Sequence, residues 1–370
     1  MQIKVVTSKK DLKKFVAFPD ELYRACPQYV PAFHKDQIKS LTKDAALSYC
    51  TNRLWLALDD AGKVVGRISA FINPRYNERY GKKCCRFGWF DIVEDFAVAK
   101  ALIETAEAWA REQGMEQIHG PLYYNTLGKQ GLLVEGYDNT PQFNTIYNYP
   151  YYADFLEKLG FVKECDWVQY KILGWEVPER IQLIAGRLME RHKLHYENVE
   201  TMAKDPAKVI SFLRLFSDIF AENVYNFIPF TEAEMAQEAK EVISMLKNRY
   251  CCIVAEETGE VAAFAINFPS MSKAMQKARG SLFPFGWYHL LKALNCRNDI
   301  ADLMIIGTAP KWRNKGVSSL IHCDISRKWQ EMDIRTSITN PQIETNNAVN
   351  VWESYPREPF MRRRCYIKNL

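Results

Sequence analysis

The residues best suited to chemistry lie together at Gly307-Thr308-Ala309-Pro310-Lys311-Trp312-Arg313-Asn314-Lys315-Gly316-Val317-Ser318. Arg313 and Lys315 bring positive charge to one turn, and Gly316 allows a backbone conformation that side chains disfavour. The turn follows an apolar run, Leu303 to Ile306. It opens a helical pattern with Ile321, Ile325, Trp329 and Met332 on one face. A strand, a basic Gly-containing turn and a helix start form a seat for a diphosphate, because the first N–H groups of a helix point outward unpaired.

Positioning such a loop requires a sheet, and the chain is long enough to build it twice. At 370 residues a single core is disfavoured, and the 48% hydrophobic and 25% charged fractions are those of a folded domain protein. A net charge of +5 over this length gives no basic stripe of the kind that nucleic acid requires. The ten cysteines and six histidines (His34, His119, His192, His195, His289, His322) fall at no metal-ligand spacing, so no metal is expected. With no signal-like start and no apolar run of about 18 residues, a reduced cytoplasmic location is expected.

The chain repeats its own plan. Asp59 to Val64 reads as a hairpin turn, and Glu256 to Val261 repeats it 197 residues later. Trp109 and Pro121 bracket a helix end and a strand, as Trp329 and Pro341 do 220 residues on. Phe155-Leu156-Glu157-Lys158 parallels Val351-Trp352-Glu353-Ser354 at an offset of 196. The shifting offset predicts one insertion near Ser270 to Cys296 and another between Pro121 and Phe155. The expected architecture is α/β with mixed sheets, in two tandem domains, 1–175 and 176–370. At the later offset Arg313 to Ser318 falls opposite Val93 to Val98, where acids and Phe96 replace cations and glycine. Only the second copy is expected to hold an anion.

On these residues the second half resembles the GNAT superfamily of acyl-CoA-dependent N-acyltransferases. Their signature, [Arg/Gln]-x-x-Gly-x-[Gly/Ala] between a strand and a helix, stands here as Arg313-x-x-Gly316-x-Ser318 after Thr308-Ala309-Pro310. The later Asn-x-x-Ala-x-x-x-Tyr-Glu pattern is matched by Asn346, Asn347, Ala348, Trp352 and Glu353. The first half keeps Tyr152, Phe155, Leu156, Glu157, Gly160 and Phe161. The whole chain is similar to tandem-GNAT bacterial proteins with a degenerate N-terminal half.

The resemblance implies acetyl-CoA or another acyl-CoA as co-substrate. It would be bound by Ile306, Thr308, Arg313, Asn314, Lys315, Gly316, Val317 and Ser318, the Arg313–Ser318 turn taking the diphosphate, with Asn346 or Asn347 on the pantetheine arm. It implies direct attack on the thioester by the amine of a small molecule or peptide. Trp352 stands where the family has its thiol-protonating Tyr, so Tyr355 or Tyr366 is the candidate acid. A CoA-binding protein without turnover is the alternative. A peptidoglycan-bridge type aminoacyl transferase is a third reading, disfavoured because it would need no intact diphosphate loop.

Three further stretches carry expectations. Residues 281–291, rich in Phe, Trp, Tyr and Leu after Lys273, Lys277 and Arg279, are expected to pack inward, with peripheral membrane contact or an acyl-chain wall as the alternative. Tyr123, Tyr124, Asn125, Gln142, Asn144, Tyr147 and Asn148 would either line an acceptor pocket or be solvated loop. Arg362-Arg363-Arg364 reads as a solvated charge run, with contact to CoA phosphates as the alternative.

Overall fold

The computed structural model describes the backbone of residues 1–124, 128–223, 226–243, 246–295, 298–345, 353 and 355–370. The chain forms two compact units. The first contains Met1–Val168, Ser272–Leu290 and Met361–Leu370, and the second contains Gln169–Met271 and Leu291–Phe360. The division is therefore not a single cut at 175/176. Ser272–Leu290 of the predicted insertion and the C-terminal segment Met361–Leu370 belong to the first unit.

In the first unit the strands Gln2–Val5, Thr51–Leu58, Val64–Ile72, Cys84–Ile92 and Gln117–Gly120 lie side by side in that order. The Asp59–Lys63 turn closes as predicted, with Asp59 N–H donating to the Lys63 carbonyl at 2.9 Å and Gly62 at φ +76°. Cys84–Ile92 and Gln117–Gly120 are parallel, joined through the helix Phe96–Glu112. That helix turns Val98, Leu102, Ile103, Ala106 and Trp109 into the core against Trp55, Ile68 and Phe87. Replacing Leu102, which is fully buried, by Ala would cost about 2–5 kcal/mol.

The C-terminal strand completes this sheet: Tyr366 to Asn369 pair antiparallel with Gly120 to Gln117, and Arg363 and Arg364 pair with Leu133 and Leu132. Strand alternation explains why Arg362-Arg363-Arg364 is not a solvated run. Arg363 is fully buried and donates to Thr145 Oγ1 at 2.9 Å, while Arg362 and Arg364 pair with Asp166 at 3.3 and 2.8 Å.

The second unit repeats the plan. Leu194–Tyr196, Cys252–Glu256, Val261–Pro269, Ile300–Thr308 and Thr336–Thr339 form its sheet, with Lys171 and Ile172 pairing the last of these. The Glu256–Glu260 turn closes as its counterpart does, at 2.9 Å with Gly259 at φ +84°. Ile300–Thr308 and Thr336–Thr339 are parallel, joined by the helix Ser318–Glu331. The predicted helix face is buried at Ile321, Ile325 and Trp329. No helix among the described residues is long and apolar enough to cross a membrane.

Candidate functional site

The two parallel strands of the second unit part company before the basic turn. Ile300 to Leu303 pair with Thr336 to Thr339, and Asn340 N–H donates to the Leu303 carbonyl at 2.7 Å. From Met304 to Thr308 no strand lies on that edge among the described residues, although the other edge stays paired with Val261–Pro269. The edge therefore offers strand N–H and C=O groups to an extended, amide-bearing chain. Ile306 and Thr308 lie on this open stretch.

The turn that follows is held from beneath. Trp312 is buried and donates Nε1–H to Glu256 at 2.9 Å, and Lys311 pairs with Glu256 at 2.6 Å and Glu260 at 3.0 Å. Burial pushes the Glu256 carboxyl up, yet these two partners outweigh it and hold it below the usual range. Glu256 is thus an anchor and a poor proton acceptor. Lys315 lies over the Trp312 ring, its Nζ 5.1 Å from the centroid.

Asn314 and Gly316 both take positive φ, +60° and +78°. A Cβ built on Gly316 would meet no atom within 4 Å, so conformation rather than crowding requires glycine there. Asn314, Lys315, Gly316 and Ser318 are exposed, and the N–H groups of Asn314, Gly316, Val317 and Ser318 find no acceptor among the described residues. The helix Ser318–Glu331 also starts without a side-chain cap. Open N–H groups, a bare helix start and Lys315 make this turn a fit for a diphosphate.

The corresponding place in the first unit is closed three times over. Asp95 caps the helix Phe96–Glu112 with its own carboxylate, accepting from Ala97 N–H at 2.8 Å. Phe96 stands at the helix start. Leu122 N–H donates to the Phe87 carbonyl at 2.8 Å, so the parallel strands do not splay. A Cβ on Gly88 would lie 2.2 Å from the Leu122 carbonyl oxygen, which shows how tightly that edge is filled.

The candidate acids separate. Tyr355 lies in the second unit, 3.0 Å from His322 Nδ1 and packed on Trp175. Burial, with Cys323 adding to it, pushes its phenol up to about 12, so it keeps its proton at neutral pH. His322, which has no ligand spacing in the sequence, is buried on the loop's helix, and burial lowers it to about 4. Tyr366 is in the core of the first unit and donates to Glu157 at 3.0 Å. The structure does not bring Tyr366 into the unit that holds the loop. Asn346, Asn347 and Trp352 lie outside the described residues.

The other expectations resolve individually. Asn148 is buried and ties down the strand Leu132–Glu135, accepting from Leu133 N–H at 2.7 Å and donating to its carbonyl at 3.0 Å. Tyr124 accepts from Asn52 at 2.7 Å, and Gln142 is buried, so these are packing residues rather than solvated loop. Asn125 lies outside the described residues. Tyr123 does line a cavity of the first unit, with Arg67 and Lys129. Sequence reasoning missed that group, since residues 67, 91 and 129 come from three segments with no shared spacing.

It also missed a tight cluster, His119, Glu164 and Cys365, whose ligand-type atoms lie within 4.8 Å of one another. Arg86 Nε donates to His119 Nε2 at 3.2 Å, which leaves Nδ1 protonated toward Glu164 at 3.0 Å. Lys82 reaches Glu164 at 3.4 Å. The cluster reads as a hydrogen-bonded ion network with its lone pairs in use.

The insertion expected to pack inward does so only in part. Ser272 Oγ donates to the Pro141 carbonyl at 2.7 Å, and Gln276 Nε2 to the Pro27 carbonyl at 2.8 Å. Beyond these anchors Phe283 and Phe285 are each 70% exposed, Tyr288 52% and Trp287 46%.

No protein-family model matches the chain. It is 29% identical to Protein YghO of Escherichia coli over 378 residues, spanning all of this chain and 95% of that protein. It is 28% identical to the bacterial ceramide synthase of Caulobacter vibrioides over 380 residues, spanning 99% of this chain and 96% of that one. Among solved structures it is similar to a tandem GNAT protein from the clavulanic acid biosynthesis pathway, with a TM-score of 0.55 at 12% identity, covering 100% of this chain and 98% of that one. A GCN5-related N-acetyltransferase from Sphaerobacter thermophilus gives 0.55 at 9% identity, covering 100% and 95%.

Proposed function

The chain has the tandem GNAT fold, and from that premise we propose that it is an acyl-CoA-dependent N-acyltransferase. The observation that carries this reading is the contrast between the two helix starts. The start at Ser318 is bare, basic and glycine-shaped, whereas the one at Phe96 is capped by Asp95. The residues present fit CoA in the second unit. The N–H groups of Asn314, Gly316, Val317 and Ser318 would bind the diphosphate, with Lys315 adding charge, and the open edge at Met304–Thr308 would pair the pantetheine amides.

Bound acyl-CoA would supply a thioester, whose carbonyl accepts an amine. Aligning the amine with that carbonyl is then the protein's main contribution. The attacking amine must lose a proton and the departing thiolate must gain one. Tyr355 carries an O–H at neutral pH and would donate a hydrogen bond to the sulfur. With its phenol near 12 it would stabilise the thiolate more than fully protonate it.

The likeness to a ceramide synthase shifts the expected donor from acetyl-CoA to a fatty acyl-CoA. Ceramides are amides of a fatty acid with a long-chain amino alcohol, so such an amine becomes the favoured acceptor. The exposed Phe283, Phe285, Trp287 and Tyr288 support the same reading, with Lys273, Lys277 and Arg279 preceding them. Apolar rings beside cations are suited to an anionic bilayer surface, where both long-chain substrates would reside.

Isothermal titration with acetyl-CoA and palmitoyl-CoA tests the donor. The reading requires binding tighter than about 1 mM by at least one of them, lost in Arg313→Glu. Binding without thiol release for any amine would favour the CoA-binding alternative.

A further inference from the structure

The first unit, whose helix start is closed to an anion, contains a cavity of about 50 Å³ walled by Arg67, Trp89, Asp91, Tyr123, Lys129 and their neighbours. This is room for a few waters or for one carboxylate or phosphate group. Its floor is charged. Arg67 donates Nε–H and Nη2–H to Asp91 Oδ2, each at 2.7 Å, and Nη1–H to the Phe15 carbonyl at 2.7 Å. Tyr23 donates to the other Asp91 oxygen at 3.1 Å. Asp20, also in the wall, is held by His34 at 2.6 Å. Each carboxylate of the cavity therefore has a partner.

Lys129 is different. Among the described residues its ammonium forms no ion pair or side-chain hydrogen bond. The charges that act on it are the cations Arg363 and Arg67 and the already paired Asp91. Burial, reinforced by Arg363, lowers its amine to about 8. Lys129 is half-buried, and its ammonium, with no ion-pair partner among the described residues, is open to a small anion that enters the cavity.

We propose that this cavity is a second ligand site, which takes the carboxylate or phosphate of a small molecule with the Lys129 ammonium as its direct partner. Arg363 adds positive charge, since that of Arg67 is balanced by Asp91, and the stacked rings of Trp89 and Tyr123, 3.7 Å apart, form a flat wall beside it. The site stands whether or not the second unit turns over acyl-CoA.

Thermal unfolding of the full-length chain tests it, at fixed ionic strength with inorganic phosphate or acetate replacing chloride. The 313–318 turn also fits phosphate, so every scan is run in an Arg313→Glu background. Phosphate, acetate or both should raise the midpoint by about 2 °C at tenfold above the dissociation constant. A response to phosphate alone assigns a phosphoryl group, to acetate alone a carboxylate, and to both a small anion of either kind.

Adding Lys129→Met should abolish the response and leave the chain unfolding no earlier in chloride. Asp20, His34, Tyr29, Arg67, Asp91, Tyr123 and Arg363 also face this cavity or act on it, so the Lys129→Met chain is the reference at every pH. Against that reference, the acetate response should fade above about pH 8 as Lys129 loses its proton. A folded chain with no Lys129-dependent response to either anion overturns the site. A response unchanged at pH 9.5 overturns its assignment to Lys129.

Discussion

Gly316 is the residue on which the second unit's loop turns most sharply. At φ +78° a β-branched side chain is strained, and the turn would relax by moving its N–H groups. Gly316→Val should weaken acyl-CoA binding at least tenfold by titration calorimetry, with the fold kept, since its surroundings are open space. Phe96→Ala, at the closed helix start, should leave that affinity unchanged. The loop was legible in the sequence because a glycine, two cations and a strand–helix change occur within a dozen residues. Lys129 was not, since only the folded chain brings it near Arg67 and Arg363.

Two buried histidines make the fold sensitive to acid. His119 and His322 are both lowered from 6.5 to about 4, in each case chiefly by burial. The unfolded chain takes up their protons first as pH falls below 6.5. Each therefore contributes stability that is whole above pH 6.5 and lost on the way to pH 4, about 3 kcal/mol apiece as an upper figure. The unfolding midpoint should drop across that window, and less so in His322→Gln. An equal drop in that variant would assign the acid sensitivity elsewhere.

At the scale of elements, periodicity and turn chemistry carried most of the reading. The two hairpins, the two crossover helices and their parallel strands all fall where the repeat placed them. Burial was harder to anticipate. An aromatic segment such as 282–288 reads as core by composition, and only its surroundings reveal that the rings face outward. Replacing Phe283, Phe285 and Trp287 with Ser should abolish co-sedimentation with vesicles rich in phosphatidylglycerol and leave the unfolding midpoint within about 1 °C, since exposed rings contribute little to the core. Retained vesicle binding would remove the bilayer contact from the proposal. Arg362-Arg363-Arg364 misled in the opposite direction: three charges in a row suggest solvent, but a strand must send the middle one to the other face.

For the whole molecule, the division into units is the property least visible in a linear reading. Offsets between repeats find insertions, yet they cannot say which sheet a terminal strand joins. Met361–Leu370 belongs to the first unit, where it pairs with Gln117–Gly120 and Leu132–Glu135. Truncation after Phe360 should therefore expose amides of Gln117–Gly120 to hydrogen exchange. The Cys252–Glu256 and Val261–Pro269 pair of the second unit should stay protected. Loss of protection in both sets together would mean that the units unfold as one.

The proposed role of the second unit's basic turn is acyl transfer to an amine. Thiol release from palmitoyl-CoA, followed with and without a long-chain amino alcohol such as sphinganine, tests it most directly. Release should require the amine, yield the amide in equal amount, and fall at least tenfold in Gly316→Val. Amine-independent release, or none above the uncatalysed rate from a chain that binds the thioester, would contradict it.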